Sequence, residues 1–358
     1  MTVRIGISVL TGVGLAFAAA TAPSRAQNTA RFTVTDLGTL GGARSEAHAL
    51  NEWGEVAGWS DTSQGTRHAF IWKAGGMRDL PPLAGYRESL GLGLNEHGQV
   101  VGSALATRQI VAVDTGVVVP GKLEVSHAML WDRDAVRDLG SGEARGINNR
   151  GDVVGRRYLW RAGREAAPVT TDSHISVFEA QTINDEGVIG GAARSTSSAG
   201  HFPALLRENR VELLDNFAGG PGGVVNSVSD RGEVVGMTSM LEGEAFHWKQ
   251  GKRTLLGTMN GPVQFGFGGH AGYHYSQAFS VNNRGQAVGA ANVSERGLND
   301  LHAFLWEGSA LTDLNRLVDP AQGWTLREAR SINNRGQICG SGERNGAHRA
   351  FLLTPTAR

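Results

Sequence analysis

A ten-residue phrase recurs seven times in this chain: ALNEWGEVAG (49–58), GLNEHGQVVG (93–102), GINNRGDVVG (146–155), TINDEGVIGG (182–191), SVSDRGEVVG (227–236), SVNNRGQAVG (280–289) and SINNRGQICG (331–340). The turn glycines Gly54, Gly98, Gly151, Gly187, Gly232, Gly285 and Gly336 lie 44, 53, 36, 45, 53 and 51 residues apart. A unit of that length cannot bury an apolar face alone, and such a period belongs to a propeller or a stacked array. Each phrase reads as a hairpin. A strand of small residues ends in an aliphatic, Asn-x-x-Gly makes a tight turn in which glycine takes positive φ, and a second strand follows. A second glycine closes each phrase (Gly58, Gly102, Gly155, Gly191, Gly236, Gly289, Gly340), where we expect another backbone to come close.

Two further patterns complete the unit. HAFIW (68–72), HAMLW (127–131), EAFHW (244–248) and HAFLW (302–306) read as third strands. MRDL (77–80), VRDL (136–139) and LTDL (311–314) read as fourth strands. The ends then decide between an open array and a ring. The seventh unit stops at its third strand, RAFLL (349–353), while FTVTDL (32–37) is a fourth strand with no unit of its own. Pairing the two removes the exposed sheet edges that an open array would carry. The expected fold is therefore all-β: a seven-bladed β-propeller of four antiparallel strands per blade, closed by the N-terminal strand.

The combination of HAFLW, LTDL and INNRGQxxG resembles the HAF family of probable extracellular repeats over nearly all of 32–353, and NxxGQxxG is more distantly similar to RCC1-type propellers. Units three and four depart from the tripeptide, with RYLW (157–160) and FPALL (202–206). The resemblance implies secretion and a repeat fold, and carries no catalytic residue with it.

Export is also written at the N-terminus. Arg4 precedes an apolar stretch (5–20), and APSRAQ offers cleavage after Ala26. We expect a signal peptide over 1–26 and a single propeller domain over 27–358, secreted or periplasmic. A membrane anchor is the alternative for the leader; no later segment is long and apolar enough to span a bilayer. Formal net charge is zero, so nothing drives phosphate-backbone binding and no nucleic-acid partner is expected. The single cysteine, Cys339, lies inside an apolar strand pattern and reads as a buried thiol.

Candidate sites follow from blade geometry. The long connections are expected on one face and the short turns on the other, and variable loops on a rigid scaffold commonly carry binding. Counting back from each turn Asn or its equivalent, the fifth residue is Glu46, Leu90, Glu143, Glu179, Val224, Gln277 or Glu328, and the third is His48, Leu92, Arg145, Gln181, Asn226, Phe279 or Arg330. We expect these to line the axis near the loop-bearing mouth, with Glu46, His48, Glu143, Arg145, Glu179, Asn226, Glu328 and Arg330 as ligand-binding candidates. Arginine can hold a carboxylate through two bonds, and glutamate can accept from sugar hydroxyls. The competing interpretation is that Glu143–Arg145 and Glu328–Arg330 are ion pairs around a water-filled channel. Four glutamates could also hold Ca²⁺, although no Asp-rich calcium loop accompanies them. No other cofactor is expected.

The long connection at 257–277 carries His270, Tyr273, His274 and Tyr275. Its aromatics could stack on sugars, and His270, Tyr273 and His274 are the catalytic candidates if the protein is a polysaccharide lyase or hydrolase. Aromatics that merely cap the propeller are the alternative. An insertion at 104–126 reads as an extra hairpin. His68, His127 and His302 recur, but Glu244 and Arg349 fill the same slot elsewhere, which points to a hydrogen-bonding role and not to a metal. No nucleophile elbow, phosphate loop or zinc-spaced cluster is present. Two functions stay open: a secreted, monomeric binding module for carbohydrate or a cell-surface ligand, and a polysaccharide-active enzyme at the mouth.

Overall fold

The computed structural model describes residues 30–356, except 112–117, 162–166, 197–199, 215–221, 239–242, 260–274 and 295–299. The leader and its cleavage site lie outside the described residues. No helix among those described is long and apolar enough to cross a membrane.

Seven four-stranded antiparallel sheets form the seven blades of a β-propeller. The innermost strands are Gly41–Leu50, Glu88–Leu94, Ala144–Ile147, Ile175–Ile183, Val224–Val228, Ser276–Val281 and Trp324–Ile332. Closure is as expected. In blade 7, strand Phe32–Asp36 pairs antiparallel with Ala347–Pro355, setting Phe32 opposite Pro355 and Asp36 opposite Phe351. Phe32 is 2 % exposed and joins the apolar core between blades 6 and 7. The third-strand aromatics do the same work elsewhere: Phe70, Phe246, Phe304 and Phe351 are fully buried. Burying each stabilises by roughly 1.5–3 kcal/mol over leaving it in water.

The turns behave as the phrase requires. All seven turn glycines have φ between +74° and +81°, a region that costs other residues roughly 1–2 kcal/mol. Within each turn the Asn oxygen accepts from the backbone ahead of it, as Asn333 Oδ1 does from Arg335 N at 3.1 Å and Gln337 N at 2.9 Å. The Asn amide then reaches the next blade. Asn51 donates to the Asn95 carbonyl, Asn95 to Asn148, Asn148 to Asn184 and Asn184 to Ser229, each at 3.0–3.2 Å. Asn282 donates to Asn333, and Asn333 to Asn51 across the closure, both at 3.0 Å. The circuit lacks the bond that Ser229 cannot make, because it has no amide.

A second circuit runs through the next residue of each turn and has no gap. The backbone N–H groups of Glu52, Glu96, Asn149, Asp185, Asp230, Asn283 and Asn334 each donate to the side-chain oxygen of the same position one blade on. Only Asn, Asp or Glu stands there, since each blade must offer an acceptor to its neighbour. Burial raises the acid of Glu96, and the neighbouring Glu52 and Asp185 charges add to it.

The closing glycines answer a different demand. In every blade the inner strand carries a bulge at the third residue before the turn, so that two inner residues oppose one on the second strand. The bulge draws the carbonyl of the fifth residue over the closing glycine. A Cβ there would lie 1.8–2.2 Å from that oxygen in all seven blades, for example 1.9 Å from Glu328 O at Gly340. Most other turns on this face are two-residue hairpins with positive φ, such as Ala74–Gly75 and Gln250–Gly251. The described strand ends that flank the long connections lie toward the opposite face as expected, with one exception: in blade 3 strands Tyr158–Trp160 and Ala167–Pro168 are joined at their short-turn ends.

Candidate functional site

The bulge is what aims side chains at the axis. It turns His48, Leu92, Arg145, Gln181, Asn226, Phe279 and Arg330 out of the sheet pairing, and brings Arg145 to Gln181 and Arg330 to Phe279. Their neighbours stay small, because the next inner strand lies directly against them. A Cβ on Gly93 would meet Arg145 O at 3.2 Å, while Ser227 and Ser280 accept from the backbone N–H of Val281 and Ile332 at 3.3 Å.

The axial residues form two groups. In blades 3 and 4, Arg145 donates to Glu143 Oε2 at 3.1 Å and to Gln181 Oε1 at 2.5 Å. Its charge is locally answered. In blades 6, 7 and 1 a denser group gathers. Arg330 Nη2 lies 2.5 Å from Glu328 Oε2, and its guanidinium stacks 4.2 Å from the Phe279 ring centroid. Glu46 lies 3.1 Å from His348 Nε2 and 3.8 Å from His48 Nε2. Tyr275 donates to Gln277 Oε1 at 2.6 Å.

This second group is electrostatically tuned. Burial and the Arg330 charge push the His48 imidazole down to about 4, against the pull of Glu46, so it is neutral at pH 7. Burial pushes Glu46 up, but the His348 hydrogen bond and the positive surroundings, Arg330 among them, outweigh it and hold the carboxyl below its usual range. Burial, and then the Glu328 charge, raise the Tyr275 phenol, which keeps its proton and donates. Arg330 Nε is buried with no hydrogen-bond partner, which is costly for a charged donor group.

Of the sequence candidates, Glu46, His48, Glu328 and Arg330 come together, and Glu143 with Arg145 forms a separate pair. Two do not join either group. Glu179 turns to Arg156 Nη2 at 2.7 Å, and Asn226 donates to the Ala278 carbonyl of the next blade at 2.8 Å, a structural stitch. His270, Tyr273 and His274 lie outside the described residues. His348 was not legible as a site residue. It stands 302 positions from Glu46, and only ring closure brings the third strand of blade 7 against blade 1.

The recurrent histidines act within blades. His68, His127 and His302 each place Nδ1 at 2.8–2.9 Å from Asp79, Asp138 and Asp313 on the fourth strand. Two of these aspartates also accept from the backbone two residues on, Gly140 and Asn315. In blade 5 the Asp slot is Leu255, and Glu244, in the His slot, accepts from the equivalent Gly257 N–H at 3.0 Å. Cys339 is fully buried and its thiol is pushed up by burial.

No family model matches the chain, and no curated protein matches it. Solved structures do. YCF48 bound to a D1 peptide aligns with a TM-score of 0.48 at 10% identity, over 92% of this chain and 97% of that one. A puromycin-hydrolyzing peptidase of Mycobacterium tuberculosis aligns with a TM-score of 0.41 at 10% identity, over 92% and 53%. A Trypanosoma rangeli sialidase aligns with a TM-score of 0.40 at 7% identity, over 87% and 54%. The chain spans about half the length of the last two. At these identities the likeness is one of fold, and no ligand or reaction is taken from it.

Proposed function

We propose that this protein is an exported binding module of the HAF type, and that its ligand enters the loop-bearing mouth and meets the group around Arg330. One observation carries this: a guanidinium stacked on Phe279, satisfied on one side by Glu328, with a buried Nε that has no partner. Arg330 keeps 29% of its side chain exposed, and a planar acceptor such as a uronate or another sugar carboxylate would pair with its open edge through two bonds. Glu46, Gln277 and Tyr275 stand beside it as acceptors and a donor for hydroxyls, so an acidic carbohydrate or cell-surface glycan is the proposed ligand class. No cofactor is invoked, and the module acts as a monomer in the periplasm or outside the cell after cleavage at Ala26.

The test is a glycan array on the processed protein, run beside an absorbance screen for unsaturated products and released reducing ends. Binding to acidic glycans without turnover supports the module. Substituting Arg330→Met should weaken acidic ligands at least about tenfold and neutral ones little, since a charge-assisted pair is worth roughly 1.5–3 kcal/mol. Turnover that is lost in His274→Ala would replace this reading by the polysaccharide-active enzyme. Binding that Arg330→Met leaves unchanged would exclude the mouth.

A further inference from the structure

On the short-turn face, at the seam where the ring closes, the structure opens a cleft of about 790 Å³ between blades 6 and 7. It is independent of the axial mouth. Arg31, just before the N-terminal strand, supplies one wall, the turn of blade 6 supplies Arg284 and Gln286, and the turn of blade 7 supplies Arg335. Leu317, half-buried, and Pro355, exposed, add apolar surface.

The cleft has more positive charge than its own carboxylate can answer. Glu307 is committed to Arg31, through a bidentate pair, and accepts from Gln286 at 2.8 Å. Arg284 and Arg335 have no carboxylate at ion-pair distance among the described residues, although the Arg284 charge adds to the lowering of the Glu307 carboxyl. Among the described residues the Arg335 guanidinium donates to the Glu52 carbonyl, at 3.0 Å. Arg284 reaches over the blade boundary onto Gly336, beside Arg335: a Cβ on Gly336 would be 2.8 Å from Arg284 Nη2. Arg284 thus lies over the backbone of the turn that carries Arg335, and both residues line the cleft.

The same turn elsewhere shows what is missing. Blade 3 has the identical Asn-Asn-Arg-Gly turn, but there Arg150 has a counter-ion two residues on, Asp152, at 3.6 Å. Blades 6 and 7 place Gln286 and Gln337 at that position. The turn therefore carries its own neutralising group in blade 3 and leaves its arginines free to take one from solution at the seam.

We propose that this seam cleft binds a small organic anion, a carboxylate or phosphate head held by Arg284 and Arg335 with a short apolar body laid against Leu317 and Pro355. Because the walls come from the closing strand and from blades 6 and 7 together, an occupant ties the N-terminal strand to the ring. Binding to the folded state alone raises its stability.

The test uses the full processed chain with three probes: hexanoate, hexyl phosphate and inorganic phosphate. Hexanoate or hexyl phosphate should raise the melting temperature by a few degrees at about a hundredfold excess over Kd, and the stronger of the two identifies the head group. Arg284→Gln and Arg335→Gln, made singly, should each weaken the better probe about tenfold. Arg150→Gln should leave it unchanged. Both arginines at the seam are exposed, so the variants should keep the far-ultraviolet spectrum of the parent. No shift with any probe overturns the proposal, as does equal binding in Arg284→Gln and Arg335→Gln. Inorganic phosphate binding as well as hexyl phosphate overturns the apolar half of it.

Discussion

Replacing Gly340 by alanine should be among the most destabilising single-methyl additions this chain can suffer. The added Cβ would start 1.9 Å from Glu328 O and 2.8 Å from the Phe351 ring. A carbon and a carbonyl oxygen normally stay about 3.3 Å apart, so the second strand must retreat by roughly 1.4 Å. That retreat breaks the pairing of Ala329 with Gly340 and strains its neighbour, Ser331 with Cys339. Two backbone bonds lost at about 1 kcal/mol each, plus about 1–3 kcal/mol for displacing a fully buried Phe351, gives about 3–5 kcal/mol. The comparison is Gly232→Ala in a turn. There φ is +77° with nothing within 4 Å of the new Cβ, so only the conformational cost of about 1–2 kcal/mol applies. Urea midpoints of both variants against the parent measure the difference. Because the bulge also aims Arg330, Gly340→Ala should lose acidic-glycan binding that Gly232→Ala keeps. A Gly340→Ala midpoint equal to or above that of Gly232→Ala would refute the bulge as the reason for the closing glycine.

Three further outcomes are expected. A chain beginning at Gly38 loses the fourth strand of blade 7 and the buried Phe32, and should melt several degrees or more below one beginning at Gln27; melting points within a degree would contradict closure. The His48 imidazole should titrate near pH 4 by NMR, not near 6.5; since the unfolded chain takes that proton first, its contribution to stability is whole above about 6.5 and is lost as pH falls toward 4, and an ordinary titration would show that Arg330 and burial do not act on it. Ser229→Asn should complete the interrupted amide circuit by donating to the Asn282 carbonyl and stabilise by about 0.5–1.5 kcal/mol; a lowered thermal midpoint would count against that circuit as a stabilising device.

Much of the architecture was open to inspection in the linear chain because its causes are local. An Asn-x-x-Gly turn needs only its own four residues, and the unpaired strand at each end announces its partner. The axial site was legible in part. The third and fifth residues before each turn were marked as axial, and Glu46, His48, Glu328 and Arg330 do meet. Glu179 and Asn226 were marked by the same rule but are drawn off by Arg156 and the Ala278 carbonyl, partners whose reach depends on how neighbouring blades tilt. The acceptor at Glu52, Glu96, Asn149, Asp185, Asp230, Asn283 and Asn334 was visible as a pattern, but its purpose was not, since each bond crosses 36 to 53 residues, or 282 at the closure.

By itself the sequence determined the number of blades, the turn geometry and the end-to-end closure, because periodicity and turn chemistry act over a few residues at a time. Only the tertiary structure decided that the inner strands bulge, that His348 faces Glu46 and that Arg284 reaches the turn of Arg335 with no carboxylate at ion-pair distance among the described residues. Those facts rest on contacts between blades. Whether a charge is answered or left open depends on which side chains the closed ring brings within a few ångströms, and no spacing along the chain encodes that distance.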